Sequence, residues 1–548
     1  MTSTLRALSL LLLLFPTIPL WADEGHHHAL TQAEIGSVNF PNSCSPEVKA
    51  DFSHAVALLH SFQYEQSRQV FESIAKKDPH CAMAEWGVAM SHYHGLWKNG
   101  DLDAGRVALE KARQTAAATP RTTAREKAFI EALGEIYKQD GGDAVAHDLA
   151  YQQQLSRLHS ENPADSEAAI FYALSLDVSA PKTDKTFANQ RQCGEILEPI
   201  FQQQPHHPGV AHYLIHCYDN PVLAKQGLTA ARAYAKIAPG SAHAQHMPSH
   251  IFTRVGSWDE SIESNQHSTL SATQAEATSS NGEARDQRLH AMDYLEYAYL
   301  QSGLDMQAKK VLDELKSLAP VSGLTHTGNY GASAIPARYT IERRDWKQAA
   351  ELTPDAAAVP WAQALTWAAI GEGTARSGNL DRAKEAERSL ASLRDQASAK
   401  KNTYWANQIE VQRSEVVAWI SHAEGNHEEA TSKMKAAVDL EESMDKDAVT
   451  PGAVTPAREM LAELFASQNQ PSQALAEYEA VLQLAPNRFN ALYGAATAAE
   501  SAGNATKAAE YYRALMTVAK GDERPEIATA RRSLRWRKTR FLPGFAEQ

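Results

Sequence analysis

Imidazoles are the side chains of this chain whose number and spacing could do chemistry. Seven histidines fall between residues 206 and 250, and four of them follow a rule. His212 and His216 are four apart, as are His246 and His250, and each member of the second pair lies 34 residues after its counterpart. A spacing of four puts both rings of a pair on one helix face. Neutral imidazoles grouped in this way ligate transition metals, Zn²⁺ or Cu²⁺ among them. The same rings could hydrogen-bond an anionic or peptide ligand, or bond to backbone carbonyls in a tight helix stack. The glutamate of a zinc protease motif is absent, because Tyr213 follows His212 and Met247 follows His246. His26, His27 and His28 form a further metal-binding run near the N-terminus.

Two pairs in register need two neighbouring parallel helices. An interval of 34 residues is the period of the tetratricopeptide (TPR) helix pair, in which the first helix of each unit lines the concave groove. Pro239 ends a second helix in this register, which leaves both histidine pairs on first helices. Aligning the next unit by Gly256 and Gly303 puts His290 at the place of His243 and Asp293 at the place of His246. Aligning by Trp258 and Trp346 puts Arg338 at the place of His250. In the metal reading Asp293 ligates or orients a ligand. In the ligand reading Arg338 adds a guanidinium to the groove. Pro248 should kink the segment and displace His250 from His246.

The same period recurs elsewhere. Asn469, Ala474 and Tyr478 return as Gly503, Ala508 and Tyr512, and Ser67, Phe71, Pro79, Ala84 and Gly87 match Ala474, Tyr478, Pro486, Ala491 and Gly494 at a constant offset of 407. Small residues let two helices approach, the aromatic fills the gap, and proline ends the pair. Strand signals are scarce, so the chain reads as an all-α, TPR-type helix-turn-helix solenoid. The expected organisation is a signal peptide at 1–22, an extended segment at 23–45 and a histidine-bearing array at 46–318. A Pro/Gly/Ser/Thr-rich loop at 319–336 and helical repeats at 337–444 follow, then a connection at 445–456, a repeat pair at 457–520 and a terminal helix with a basic tail at 521–548.

Residues 1–22 carry Arg6, an apolar stretch from Leu8 to Phe15 and small Ala22, the pattern of an exported chain too short in its apolar run to span a membrane. Export to the periplasm, or secretion, leaves no integral membrane segment. The net charge of −13, or −14 without Arg6, offers no footprint for nucleic acid. The exception is a basic cluster (Arg531, Arg532, Arg535, Arg537, Lys538 and Arg540) near the C-terminus. Four cysteines allow three pairings. Spacing favours Cys44–Cys81, one repeat apart, and Cys193–Cys217, flanking a helix hairpin, with four free thiols as the alternative.

Several runs resemble those of exported bacterial TPR-repeat proteins: Ala82-Met-Ala-Glu-Trp-Gly-Val-Ala-Met, His246-Met-Pro-Ser-His-Ile-Phe-Thr-Arg, Val449-Thr-Pro-Gly, Pro456-Ala-Arg-Glu-Met-Leu and Pro486-Asn-Arg-Phe-Asn. The resemblance covers most of the chain after residue 22 and implies the solenoid and export, with no reaction attached. No phosphate loop, nucleophile elbow or activated cysteine stands out. The expectation is a scaffold that binds a protein, peptide or small ligand in a histidine-lined groove, with a zinc- or copper-binding protein as the alternative and a metal-dependent hydrolase as a lesser one.

Overall fold

The structure, a computed structural model, describes residues 30–98, 100–278, 282–319 and 324–540. The signal segment and the His26–His28 run lie outside the described residues. Helix follows helix throughout, without a strand among the described residues. No described helix is long and apolar enough to cross a membrane.

The repeat register explains the packing. Tyr478, on helix Pro471–Leu484, lies against Gly494 of helix Phe489–Ser501, where an added Cβ would fall 2.2 Å from the ring. Phe71 and Gly87 meet the same way near the N-terminus, at 2.4 Å. Ala84, Ala474, Ala491 and Ala508 are fully buried at the matched positions. Each aromatic therefore fills the space that the facing small residue leaves, as the period of 34 requires.

Both expected disulfides are formed. Cys44 bonds Cys81 with Cα atoms 4.7 Å apart, and Cys193 of helix Ala188–Gln203 bonds Cys217 of helix Pro208–Tyr218 with Cα atoms 6.2 Å apart.

The loop expected at 319–336 is corrected: helix His326–Glu342 occupies most of it. Its glycines serve close approach rather than a turn, since a Cβ on Gly331 would lie 2.6 Å from the Leu289 carbonyl oxygen. Its N-terminus is capped from outside the segment, where the Asp286 carboxylate accepts N–H bonds from Thr325 and Gly328 at 2.9 Å. A cap lent by a residue some forty positions away leaves no local signal.

The array does not stay open. Trp258 Nε1 donates to the Asn487 carbonyl at 2.9 Å, and Asn487 Nδ2 donates to the Gly256 carbonyl at 3.1 Å. Gly256, with φ +68°, admits this contact because a Cβ there would lie 2.2 Å from the Pro486 oxygen. Arg488 reaches Glu342 at 2.8 Å as well as Glu459 at 2.6 Å. The last repeats thus fold back on the units at 256–345. Residues 445–456, non-helical as expected, form a strap across this closed array. Asp445 N donates to the Lys182 carbonyl at 2.8 Å, Tyr294 Oη donates to the Thr450 carbonyl at 2.9 Å, and Arg338 Nη1 donates to the Gly452 carbonyl at 3.2 Å. Among the described part of the basic cluster, Arg531, Arg532 and Arg535 are exposed on the terminal helix Pro525–Arg540.

Candidate metal centre

Three first helices converge on the imidazoles. His212 and His216 ride on Pro208–Tyr218, and His290 on Glu283–Gln301. His243 and His246 ride on Ala242–His246, while His250 follows on Pro248–Val255, so Pro248 does interrupt the segment. The interruption is small, because His246 Nε2 and His250 Nε2 still face each other at 3.0 Å. The rings do not line an open groove as the solenoid register suggested. None of the six is more than 7 % exposed.

They form two trios. The ligating atoms of His212, His216 and His243 lie within 4.8 Å of one another, as do those of His246, His250 and His290. In the first trio His212 Nε2 is 3.1 Å from His216 Nε2 and 3.0 Å from His243 Nε2. The edge of a tetrahedron with bonds of 2.0–2.1 Å is about 3.3 Å, so these spacings suit nitrogens around one ion.

The outer nitrogens fix where the protons are. A carbonyl can only accept, so His212 Nδ1 donates to the His60 oxygen at 2.7 Å. His250 Nδ1 donates to Asp219 Oδ2 at 2.8 Å. His246 Nδ1 lies 2.7 Å from Asn265 Oδ1, and Asn265 Nδ2 donates to the Ser261 carbonyl at 2.8 Å, which orients the amide so that Oδ1 accepts. All three rings therefore carry the proton on Nδ1 and turn the Nε2 lone pair inward. Across the His246–His250 contact two lone pairs meet with no hydrogen between them. His290 completes the trio with neither ring nitrogen hydrogen-bonded, its ring 4.2 Å from that of His246.

Burial keeps the imidazoles neutral. It pushes His212 down to about 3 and holds His216, His243, His246 and His290 well below the ordinary histidine range, with neighbouring imidazoles adding to the effect. His250 is also lowered by burial, although Asp219 pulls it back. Asp219 is held well below the carboxylate range. Burial alone would raise it, but Lys446 at 2.9 Å, Arg254 at 2.8 Å and His250 together outweigh that cost.

Two expected members belong elsewhere. Asp293 does not serve the imidazoles: it pairs with Arg338 at 3.1 Å, both fully buried, against the strap. It sits three residues beyond His290, almost one turn along the helix, where Arg338 of the next first helix meets it. Asp219 takes the orienting role assigned to Asp293. It lies only three residues after His216 and was visible in the sequence as the nearest carboxylate, whereas Asn265 stands on the second helix Trp258–Thr278 with no periodic signal. Phe62, Tyr64 and Trp97 were also missed as site residues. Phe62 packs on His243 with ring centroids 5.4 Å apart and on His212 at 4.4 Å.

A cavity of about 390 Å³ opens onto His243, His246 and His290, members of both trios. Phe62, Tyr64 and Trp97 form its apolar wall, and His92 and His94 also line it. Glu283 and Asp286 stand on the same helix as His290 and face this space. Burial raises Glu283 to about 7, helped by Glu65 and Asp286, and raises Asp286 to about 6 against its backbone N–H bonds.

A third group, His60, Glu167 and His207, is also close enough for an ion. Its contacts are already satisfied by protons. Val210 N donates to His207 Nδ1 at 3.3 Å, so His207 Nε2 donates to Glu167 Oε1 at 2.9 Å. Tyr213 donates to His60 Nδ1 at 2.8 Å, and His60 Nε2 donates to Glu167 Oε2 at 3.1 Å. Cys44, Asp78 and Cys81 also cluster, but both thiols are spent in the disulfide.

No protein-family model and no curated protein matches this sequence. Among solved structures, the chain is similar to yeast Tom70 at 12 % identity and a TM-score of 0.30, covering 91 % of each chain. It is similar to a monomeric IFIT1 variant solved with Gppp-AAAA at 12 % identity and a TM-score of 0.35, covering 80 % of this chain and 90 % of that one. Likenesses this distant carry no argument about a ligand. The TPR-type assignment stands on the helix order and packing above.

Proposed function

We propose that this chain is an exported solenoid that binds a transition metal, zinc or copper, through its histidine trios. The observation that carries the reading is the His246–His250 contact, where two Nε2 lone pairs face each other at 3.0 Å while both Nδ1 protons are committed to Asn265 and Asp219. A cation between them turns an unfavourable contact into two bonds. Histidine ligands whose outer N–H groups bond to a carboxylate, amide or carbonyl are the usual pattern of a protein-held metal, because the outer bond fixes tautomer and ring orientation. Imidazole-only sets suit zinc and copper. The two disulfides support export, since an oxidising compartment preserves them.

Elemental analysis of the purified chain tests the reading. His26→Ala, His27→Ala and His28→Ala remove the N-terminal run so that it cannot contribute. Zinc or copper at one equivalent or more, lost when His246 and His250 are both replaced by Ala, is the expected result. A chain that neither retains nor takes up either metal overturns it.

A second reading keeps a ligand-binding scaffold at a different place. A cavity of about 460 Å³ beside the strap has Trp361 stacked on Trp405 at 4.7 Å, with Tyr330 and Tyr404 in its wall. Its size and aromatic lining suit a small molecule or a peptide side chain.

A further inference from the structure

We propose that the two trios form one binuclear centre, and that the cavity they share takes a phenol carrying a cationic aminoalkyl arm. The inference rests on the metal-binding reading. It adds that the two ions cooperate and that they face a substrate-sized space.

Adjacency is the first argument. The rings of His216 and His250, one from each trio, lie 6.1 Å apart, and those of His243 and His246 lie 6.4 Å apart. Ions bonded about 2.0–2.1 Å beyond such nitrogens fall within reach of a single bridging ligand. Three protein nitrogens per ion also leave a coordination position open, the arrangement of a site that accepts an outside ligand.

The second argument is what the open side meets. His290 is buried, lines the cavity and hydrogen-bonds with neither nitrogen. Around it the space has two characters. Phe62, Tyr64 and Trp97 give one side of it an aromatic wall, which suits an apolar ring. Asp286 and Glu283 precede His290 by four and seven residues, so they continue its face of the helix away from the trios. Glu283 lies about 10 Å along the axis from His290, the span of a phenol ring with a short amine arm. Asp101 adds negative charge to the same space, and Arg68 is paired with Glu65 and Glu72. An oxygen donor at the ions, a ring against the aromatic wall and an ammonium beside Glu283 satisfy all three regions at once. An anionic arm meets carboxylates instead.

Copper(II) as the loading metal and tyramine as the probe test this on the full chain carrying His26→Ala, His27→Ala and His28→Ala. Two coppers per chain with an electron paramagnetic resonance intensity far below two independent spins are expected. Tyramine should then perturb the copper absorption and bind at least ten-fold tighter than 3-(4-hydroxyphenyl)propionate, which has the same ring and an anionic arm. Gln287→Trp, placed in the cavity wall, should keep both coppers and lose tyramine binding. One copper per chain, or two with full independent intensity, overturns the binuclear centre and leaves the metal-binding reading standing. Equal affinity for the two phenols overturns the ligand class. No copper or zinc uptake at all overturns both readings.

Discussion

The His60–Glu167–His207 group and the His246–His250–His290 trio are both buried, both borne on helices and both compact enough for an ion. They differ in where the protons lie. Around Glu167 every contact has one donor and one acceptor, so the cluster is complete as a hydrogen-bonded network. Around His246 and His250 the outer nitrogens take the protons and leave acceptor facing acceptor. Residue type and spacing alone do not separate a structural histidine from a ligand. The hydrogen bonds on the far side of each ring do, and they support the proposed division, stability for the first cluster and metal binding for the second.

Four experiments break or sharpen that contrast. Replacing His246 and His250 together by Ala should remove the metal held by their trio, with far-UV circular dichroism unchanged. Collapse of the helical signal would instead make the pair a packing element and erase the distinction. Glu167→Ala should do the opposite. It leaves two buried N–H donors without their acceptor and costs about 3–5 kcal/mol in urea unfolding, at unchanged metal content. Loss of metal in that variant would join the two clusters into one functional unit.

Acid gives the third test. Burial alone would raise the Glu167 carboxyl, but the pull of His207 and His60 outweighs it and brings the group from 4.5 to about 2. A depressed carboxyl stabilises the fold above its unfolded pKa and loses that contribution as pH falls through its folded pKa. Some 3 kcal/mol should therefore fade between pH 4.5 and 2, and Glu167→Gln should lack that component. An identical acid profile in the two proteins counts against the assignment. Asp219→Asn has the smallest expected effect on metal, although it also takes the negative partner from Lys446 and Arg254. It weakens the anchor of His250 without touching a metal-facing nitrogen, and metal affinity measured by chelator competition should fall about 10–100-fold. Unchanged affinity would deny Asp219 an orienting role.

The sequence showed the four rule-spaced histidines, the helix pairs and both disulfides, because each is written as a spacing within one or two repeats. His290 was reachable by aligning repeats, although it joins His246 rather than extending a row from His243. What stayed hidden depends on contacts between distant segments. The cap on residues 326–342 comes from Asp286, the orienting amide from Asn265 and the wall of the chamber from the turn at Phe62. Arg338 and Asp293 occupied the expected register and pair with each other instead. Closure of the array was also unwritten, since nothing local tells Asn487 that it will meet Gly256.

The strap has a consequence in time. His290, the last of the six imidazoles, precedes Lys446 by 156 residues. Synthesis at 5–20 residues per second separates the two by roughly 10–30 s. During that interval all six rings exist in a chain whose Asp219 has not yet met Lys446, and whose Tyr294 has not yet met the Thr450 carbonyl. Order of manufacture thus leaves the Asp219 that anchors His250 without its Lys446 partner until late in synthesis. Metal supplied during biogenesis and metal offered to the finished protein should enter at different rates.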